Sequence, residues 1–265
     1  MGLKEIKIEK KEHFDLSGVF VVLQPKMNLH DGTIESYEAL ARMLADDVVI
    51  SPDQFFKTAI ANGTESELNW MIIDKVIEAS SLIKEKTGHQ EKIAFNVTPE
   101  MLSENCFVNY IEYKVQEHEL SYEQFEIELT ESSSLDISRE MAEKLEHFKA
   151  KGMSIAIDDF GAGYSSVARL DEIPANVVKL DKIFADKIND NYKTFVIVKG
   201  ICDMSKALGI KVVAEGIEDA ETNQKMFEAG VDVAQGYLFS KPIEVNQVIE
   251  KKGFNRLNYE DSLSL

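Results

Sequence analysis

The sequence predicts an α/β fold, a modified TIM (β/α)8 barrel with an antiparallel first strand. Three observations predict it: the chain has 265 residues, short apolar runs alternate with helical stretches, and these runs end in residues that can hold a metal or handle a proton. Such barrels have typically about 250 residues, and their parallel strands all end on the face that carries the chemistry. The pattern therefore predicts one acidic pocket built from distant parts of the chain.

The first two strands are predicted to form a hairpin. The first begins at Val19 and runs to about Pro25 or somewhat beyond, and the second covers residues 33–42. The short connection between them contains Asp31-Gly32, a hairpin turn signal. Because a parallel crossover needs a dozen or more residues, these strands should be antiparallel. The first strand then enters from the pocket face, which keeps Gln24 near the pocket.

Helices and further strands then alternate. Ser51-Pro52-Asp53 is a helix cap with proline at the first helical position, and glycine follows several helical stretches as a stop. The predicted helices cover residues 52–61, 65–86, 107–119, 138–151, 186–208 and 219–229. The strands after the hairpin are predicted to end at Asn96, Glu128, Asp159, Lys179, Glu215 and Gln235, which makes eight strands.

The composition is that of one globular domain. Hydrophobic residues make up 44% of the chain and charged residues 29%, and no Pro/Gly/Ser-rich linker divides it. We expect a domain over residues 19–255, between a charged lead-in segment at 1–18 and a C-terminal tail at 256–265. The formal net charge of −18 argues against binding to DNA or RNA polymers and to anionic membranes.

Signals for export and membrane insertion are missing from the sequence. Residues 1–7 alternate charged and apolar side chains and lack the apolar core of a signal peptide. No run approaches the ~20 apolar residues of a membrane span, so we expect a soluble, cytoplasmic protein. Cys106 and Cys202 each lie in a helix-like segment, and we expect both thiols to be reduced and buried.

The strand ends carry five acidic residues whose charges need compensation. These residues are Glu38, Glu128, Asp158, Asp159 and Glu215. On one face they would repel each other unless cations are present or several are protonated, and Lys179 supplies only one positive charge. Because no His or Cys lies at these strand ends, zinc-type clusters and Ser-His-Asp or Cys-His nucleophiles are excluded.

The donor atoms at these strand ends favour a magnesium-type site. Carboxylate oxygens with the amide of Asn96 are ligands for Mg²⁺ or Mn²⁺. We expect two ions, because the adjacent Asp158 and Asp159 suit a bridging carboxylate and a neighbour for the second ion. Paired divalent cations clamp the attacking water and the leaving oxygen in phosphoryl transfer, and they would turn an acidic pocket into a site for an anionic substrate.

Seven motifs occur in order along the chain, between about Gln24 and Pro242. They are Glu38-Ala39-Leu40 with Arg42, Asn96-Val97-Thr98-Pro99, Glu128-Leu129-Thr130-Glu131, Asp158-Asp159-Phe160-Gly161-Ala162-Gly163-Tyr164-Ser165-Ser166, Lys179-Leu180-Asp181, Glu215-Gly216-Ile217-Glu218 and Gln235-Gly236-Tyr237. In composition, order and spacing this set closely resembles the EAL-domain family, the cyclic di-GMP phosphodiesterases. The resemblance implies a modified (β/α)8 barrel that hydrolyses cyclic di-GMP to linear 5′-pGpG with Mg²⁺ or Mn²⁺.

The resemblance also implies a role for each motif residue. The first metal would be held by Glu38, Asn96, Glu128 and Asp158, and the second by Asp158 and Asp159 with Glu215 close by. Lys179 would orient or deprotonate the attacking water. The supporting residues would be Glu131, which anchors the loop at 161–166, together with Asp181 and Gln235. The nucleotide contacts would be Gln24, Leu40, Arg42 and Glu218.

Two other functions are compatible with parts of the pattern. A catalytically silent receptor would bind cyclic di-GMP and signal through a protein partner. Such relatives usually lack a metal ligand or the lysine, whereas this sequence has every expected metal ligand and Lys179. A retaining glycosidase could use Glu131 and Glu215, which leaves the other carboxylates without a role.

The resemblance further implies a homodimer formed near the loop that follows Asp159.

Overall fold

A computed structural model describes residues 15–129, 137–161, 167 and 169–250. In these ranges the chain forms one sheet of ten strands: β1 (Val19–Asn28), β2 (Ile34–Ala45), β3 (Val48–Ile50), β4 (Ile93–Val97), β5 (Phe125–Leu129), β6 (Ser154–Phe160), β7 (Val177–Leu180), β8 (Lys211–Ala214), β9 (Val233–Gln235) and β10 (Ile243–Glu244). Eight of them close into a barrel, because β1 pairs with both β2 and β9. The fold expected from the sequence is therefore confirmed.

The hairpin of β1 and β2 is antiparallel, as its short connection predicts. β1 also runs antiparallel to β9, whereas β2 and β4 to β9 are parallel to their neighbours around the barrel. Gln24 lies directly opposite Glu38 in the hairpin, and the register shifts after Lys26. Because β1 enters from the end of the barrel where the other strands finish, Gln24 reaches the same end as Glu38.

Ten α-helices connect and flank the strands in the described part of the chain. They are α1 (Pro52–Asn62), α2 (Glu65–Thr87), α3 (Pro99–Ser103), α4 (Phe107–Glu117), α5 (Arg139–Ala150), α6 (Arg169–Glu172), α7 (Lys182–Ile188), α8 (Tyr192–Leu208), α9 (Ala220–Ala229) and α10 (Val245–Glu250). Ser51 precedes α1 and Pro52 begins it, as predicted. Five of the six predicted helices lie within two residues of these bounds.

The prediction of one helix at 186–208 is wrong. The segment contains the end of α7 and all of α8, because Asn191 leaves the helical conformation and its side chain accepts a hydrogen bond from the Lys193 N–H at 3.0 Å. Asparagine at this position satisfies one of the free N–H groups at a helix start. A second cap, Asp181, fixes the start of α7 by accepting from the Ile183 N–H at 2.8 Å.

Two short strands were not predicted. β3 folds back on β2 through a turn at Asp46 and Asp47, both with positive φ, and its Val48 and Val49 are exposed. β10 pairs with Val22 and Leu23 in the middle of β1, next to the residues of β1 that pair with β9. These two strands are the edge strands of the sheet and are not among the eight strands of the closed barrel.

The apolar core lies mainly between the barrel and its helices. Inside the barrel, a separate cluster of Ala156, Val177, Val213 and Val233 fills the side formed by β6 to β9. Cys202 is buried, as expected, but Cys106 is exposed. The expectation of a buried Cys106 is wrong because this residue precedes α4, whose inner face begins at Phe107.

Within the described ranges, the helices lack the combination of length and hydropathy that crossing a lipid bilayer requires. Residues 1–14 and 251–265 lie outside these ranges. The lead-in at 1–18, the domain bounds at 19–255 and the tail at 256–265 therefore stay predictions.

Candidate functional site

The predicted strand-end residues meet at one end of the barrel, around the side chain of Lys179. This lysine lies on β7 and is 1% exposed. Its Nζ lies 2.7 Å from Glu215 Oε1, 2.8 Å from Glu128 Oε2, 2.9 Å from Asp158 Oδ1 and 3.6 Å from Glu38 Oε2. One ammonium group thus contacts carboxylates carried by β2, β5 and β6 and by the residue after β8.

A local break in β6 lets two adjacent acids face the same centre. Successive side chains of a strand point to opposite faces, so Asp158 and Asp159 could not both reach the barrel interior from a regular strand. Asp159 has a φ of 51°, in the left-handed region, and the pairing register between β6 and β7 shifts here. Oxygen atoms of Asp158, Asp159 and Glu215 consequently lie within 4.8 Å of one another.

The carboxylates control the protonation of Lys179. Burial alone would lower its pKa, but the charges of Glu128 and Glu215 outweigh burial and raise the pKa of Lys179 well above its ordinary value. In this arrangement the lysine is an ammonium group and a hydrogen-bond donor. It can act as a base only when other cations bind these carboxylates and so remove the negative charges that raise the pKa of Lys179.

Several of the acids in turn bind protons more tightly than free carboxylates do. Burial raises the pKa of Glu215 to about 8, assisted by the charges of Asp158 and Glu38 and opposed by Lys179. Burial and the charges of Asp158 and Asp181 raise the pKa of Asp159 to about 6. The site therefore carries more negative charge than its own lysine neutralises, and cations would stabilise its ionised form.

The donor set fits a divalent cation such as Mg²⁺ or Mn²⁺. The Oδ1 atom of Asn96, at the end of β4, is buried and accepts no hydrogen bond from the described residues. An acceptor in this state costs free energy unless a ligand occupies it. Asn96 Oδ1 and the neighbouring carboxylate oxygens are all oxygen donors, the ligand type that these ions prefer.

Gln235 fixes Glu38 within the site. Its Nε2 donates to Glu38 Oε2 at 2.7 Å and to Gln24 Oε1 at 3.1 Å, and the Gln24 amide donates to the Ser240 carbonyl at 3.1 Å. Gln235 thus lies where it can position Glu38, and the supporting role expected for it stays a prediction. Asp181 lies close enough to Asp159 to affect its pKa while it caps α7.

A second buried lysine, Lys26, was missed by the sequence analysis. Its Nζ lies 2.7 Å from Glu126 Oε1 and 2.5 Å from Glu128 Oε1. The expectation that Lys179 is the single positive charge for these acids is therefore wrong. The signal was present in the sequence, because Lys26 follows Gln24 by two residues and Glu126 precedes Glu128 by two, and residues two apart share a face of a strand.

An open cleft of about 370 Å³ leads to the carboxylates. Gln24, Leu40 and Glu218, expected to contact a nucleotide, line it together with Tyr237 and Lys182. Lys182 was not predicted; its Nζ lies 2.6 Å from Glu218 Oε1 at the rim.

Arg42 lies near the cleft but is not part of its lining. Burial lowers the pKa of Arg42, and Glu38 and Tyr237, both in the lining, act against this effect. Its guanidinium donates to the carbonyl of Ala41 at 2.8 Å. Glu131 and the loop positions 162–166 lie outside the described residues. The role of Glu131, either as loop anchor or as one of the two glycosidase acids, therefore stays a prediction.

Known proteins share both the sequence pattern and the fold. The family model described as the EAL domain matches residues 10–242. RocR from Pseudomonas aeruginosa, named a cyclic di-GMP phosphodiesterase, is 30% identical over 221 residues, which cover 83% of this chain and 56% of RocR. This chain thus spans about half the length of that relative.

Solved structures agree with the barrel described above. The EAL enzyme Bd1971 in its form with bound cAMP and cyclic di-GMP matches with a TM-score of 0.82 at 26% identity, covering 89% of this chain and 65% of that one. The PaMucR phosphodiesterase in complex with c-di-GMP matches with a TM-score of 0.79 at 27% identity, covering 87% of this chain and 94% of that one.

Proposed function

The chain belongs to the EAL domain family, and from this we propose that it is a metal-dependent phosphodiesterase that hydrolyses cyclic di-GMP to linear 5′-pGpG. The observation that carries the proposal is the arrangement around Lys179 of carboxylates from three strands and from the residue after β8. The buried Asn96 oxygen, which has no partner among the described residues, adds a further oxygen donor. The names of RocR and of the PaMucR complex support the substrate.

Two Mg²⁺ or Mn²⁺ ions are the proposed cofactors. The first would be held by Glu38, Asn96, Glu128 and Asp158, and the second by Asp158 and Asp159, with Glu215 adjacent. When bound, such ions polarise the phosphodiester and lower the pKa of a coordinated water. The neighbouring oxygens of Asp158, Asp159 and Glu215 support a cation site at these three acids.

The chain's own residues bind and orient in this proposal. Lys179 would orient the attacking water or, once the cations occupy the acids that raise its pKa, take a proton from it. Gln235 holds Glu38 in place through its 2.7 Å hydrogen bond. The nucleotide lies in the cleft against Gln24, Leu40 and Glu218, and Arg42, at the edge of the same hairpin, would bind a phosphate when its side chain turns from the Ala41 carbonyl.

The test is hydrolysis of cyclic di-GMP with Mg²⁺ or Mn²⁺, followed by chromatography of the products. We expect pGpG from the unsubstituted protein and none from Glu38→Ala. Glu35→Ala is the matched control, since Glu35 lies on the same strand but pairs with Lys211 at the far end of the barrel; it should keep full activity. No turnover with either metal defeats the proposal, and tight binding of cyclic di-GMP without turnover establishes the silent receptor instead.

The proposal includes a cytoplasmic homodimer, on the strength of the sequence resemblance. Its expected contact surface adjoins the loop after Asp159. Light scattering at micromolar concentration should give the mass of two chains, and a strict monomer would contradict this part of the proposal.

A further inference from the structure

Lys26 forms ion pairs with Glu128, an acid of the proposed metal centre, and with Glu126, an acid deeper inside the barrel. It lies on β1, is 1% exposed, and contacts Glu126 and Glu128 across the barrel. These two acids are both on β5 and point to the same side because they are two residues apart. Lys26 therefore links one acid of the centre to another acid one layer deeper.

Glu128 has a lysine on each of its oxygens. Its Oε1 lies 2.5 Å from Lys26 Nζ, and its Oε2 lies 2.8 Å from Lys179 Nζ. The side chain is fully buried. The terminal torsion of a glutamate has a broad, shallow preference, so the two ammonium groups rather than the side chain's own rotamer fix the direction of this carboxylate.

The charges continue from Glu126 to the far end of the barrel. The other oxygen of Glu126, Oε2, lies 3.3 Å from Lys92 Nζ, and Lys92 donates to Ser154 Oγ at 2.5 Å. Burial would lower the pKa of Lys26, but the charges of Glu126 and Glu128 raise it above its ordinary value. Lys26 is therefore an ammonium group held between two carboxylates. Of these two acids, Lys92 contacts Glu126, the one farther from the centre.

We propose that Lys26 is a positioning residue, which holds Oε1 of Glu128 so that Oε2 is directed into the centre to bind a divalent cation. The inference rests on the proposed function through the assignment of Glu128 as a ligand. Simple electrostatics predicts the opposite effect, because a lysine near a site repels a cation and its removal should tighten binding. The two effects therefore differ in sign.

The test compares Mn²⁺ binding, measured without nucleotide from the electron paramagnetic resonance signal of free Mn²⁺. The variant Lys26→Met/Glu126→Gln removes the lysine together with Glu126, a buried acid that would otherwise keep only its 3.3 Å contact with Lys92. We expect its Mn²⁺ dissociation constant to be about 10–100-fold higher than that of Glu126→Gln, which differs from it only at Lys26; this is the usual effect of losing a residue that orients a ligand. Glu126→Gln and Lys92→Met keep the Lys26–Glu128 contact, so each should lose much less Mn²⁺ affinity than the double variant does.

Each outcome decides the matter. Mn²⁺ binding by the double variant that is as tight as, or tighter than, that of Glu126→Gln overturns the inference. So does a double variant that fails to fold where Glu126→Gln folds, because Lys26 would then be structural. An unsubstituted protein that binds no Mn²⁺ overturns both this inference and the proposed metal centre, whereas one that binds Mn²⁺ but hydrolyses no cyclic di-GMP removes the proposed function alone.

Discussion

Gly236 tests how closely the cleft depends on the packing of two strand-end loops. A Cβ atom at this position would lie 2.0 Å from the carbonyl oxygen of Ile217 and 2.4 Å from its nitrogen. The loops are hydrogen-bonded at this contact, since the Ile217 N–H donates to the Gln235 carbonyl and the Leu238 N–H donates to the Ile217 carbonyl, both at 3.0 Å. An added methyl group therefore forces backbone atoms apart.

We expect Gly236→Ala to lower the free energy of unfolding by about 1–3 kcal/mol, the usual cost of overpacking. The shift also carries Gln235 away from Glu38, its acceptor at 2.7 Å. Because a displacement of about 1 Å can reduce a catalysed rate about 100-fold, hydrolysis of cyclic di-GMP should fall more than stability does. Urea unfolding and the hydrolysis assay measure the two effects separately.

Gly200→Ala is the matched control for this substitution. Gly200 is exposed on α8, and a Cβ atom there would meet no atom of the described chain within 4 Å. Alanine in a helix interior is more favourable than glycine by about 0.8–1 kcal/mol, so this variant should be more stable and fully active. If both variants are equally stable and equally active, the close approach of the two loops has no consequence and the reasoning is refuted.

Three further predictions follow from single contacts. Without metal, the pKa of Glu215 is about 8, against 4.5 in the unfolded chain. Its contribution to stability is therefore complete below about pH 4.5 and is lost as the pH rises towards 8. The unfolding free energy of the unsubstituted protein minus that of Glu215→Gln should fall over this interval, and a constant difference would contradict the shift. Asn191→Ala removes the cap of α8 and should cost about 1 kcal/mol in urea unfolding, with an unchanged midpoint as the contrary result. Asn96→Ala removes an oxygen that has no partner among the described residues, so Mn²⁺ binding should weaken while the metal-free melting temperature changes little; a large fall in that temperature would show that the amide is structural.

The ends of the strands were predictable because two simple regularities act together. Parallel strands finish on one face of a barrel, and a polar residue after an apolar run marks that finish, as at Asn96 and Glu215. The hairpin of β1 and β2 followed from the shortness of its connection. These regularities use neighbouring residues only, which is why they can be recognised in one sequence.

The remaining features depend on partners far apart in the chain. Lys26 is separated from Glu126 by 100 residues. The two-residue spacings from Gln24 and to Glu128 assign each residue to a face of its strand, but they do not pair the lysine with the acid. The break between α7 and α8 was hidden because Asn191 is followed by further helix-forming residues, so that a cap in the middle of a helical stretch looked like a polar surface position. The bend at Asp159 likewise requires the acids around it to be known.

The closure of the barrel by β1 has a consequence for the order of assembly. Gln235 donates to Gln24, which precedes it by 211 residues, and β1 and β9 can pair only once nearly all of the described chain has been synthesised. Contacts of such sequence separation form slowly, because the entropy of a long loop must be lost first. On the ribosome, the centre therefore stays incomplete until β9 has emerged, and the appearance of metal affinity would report the final step of folding.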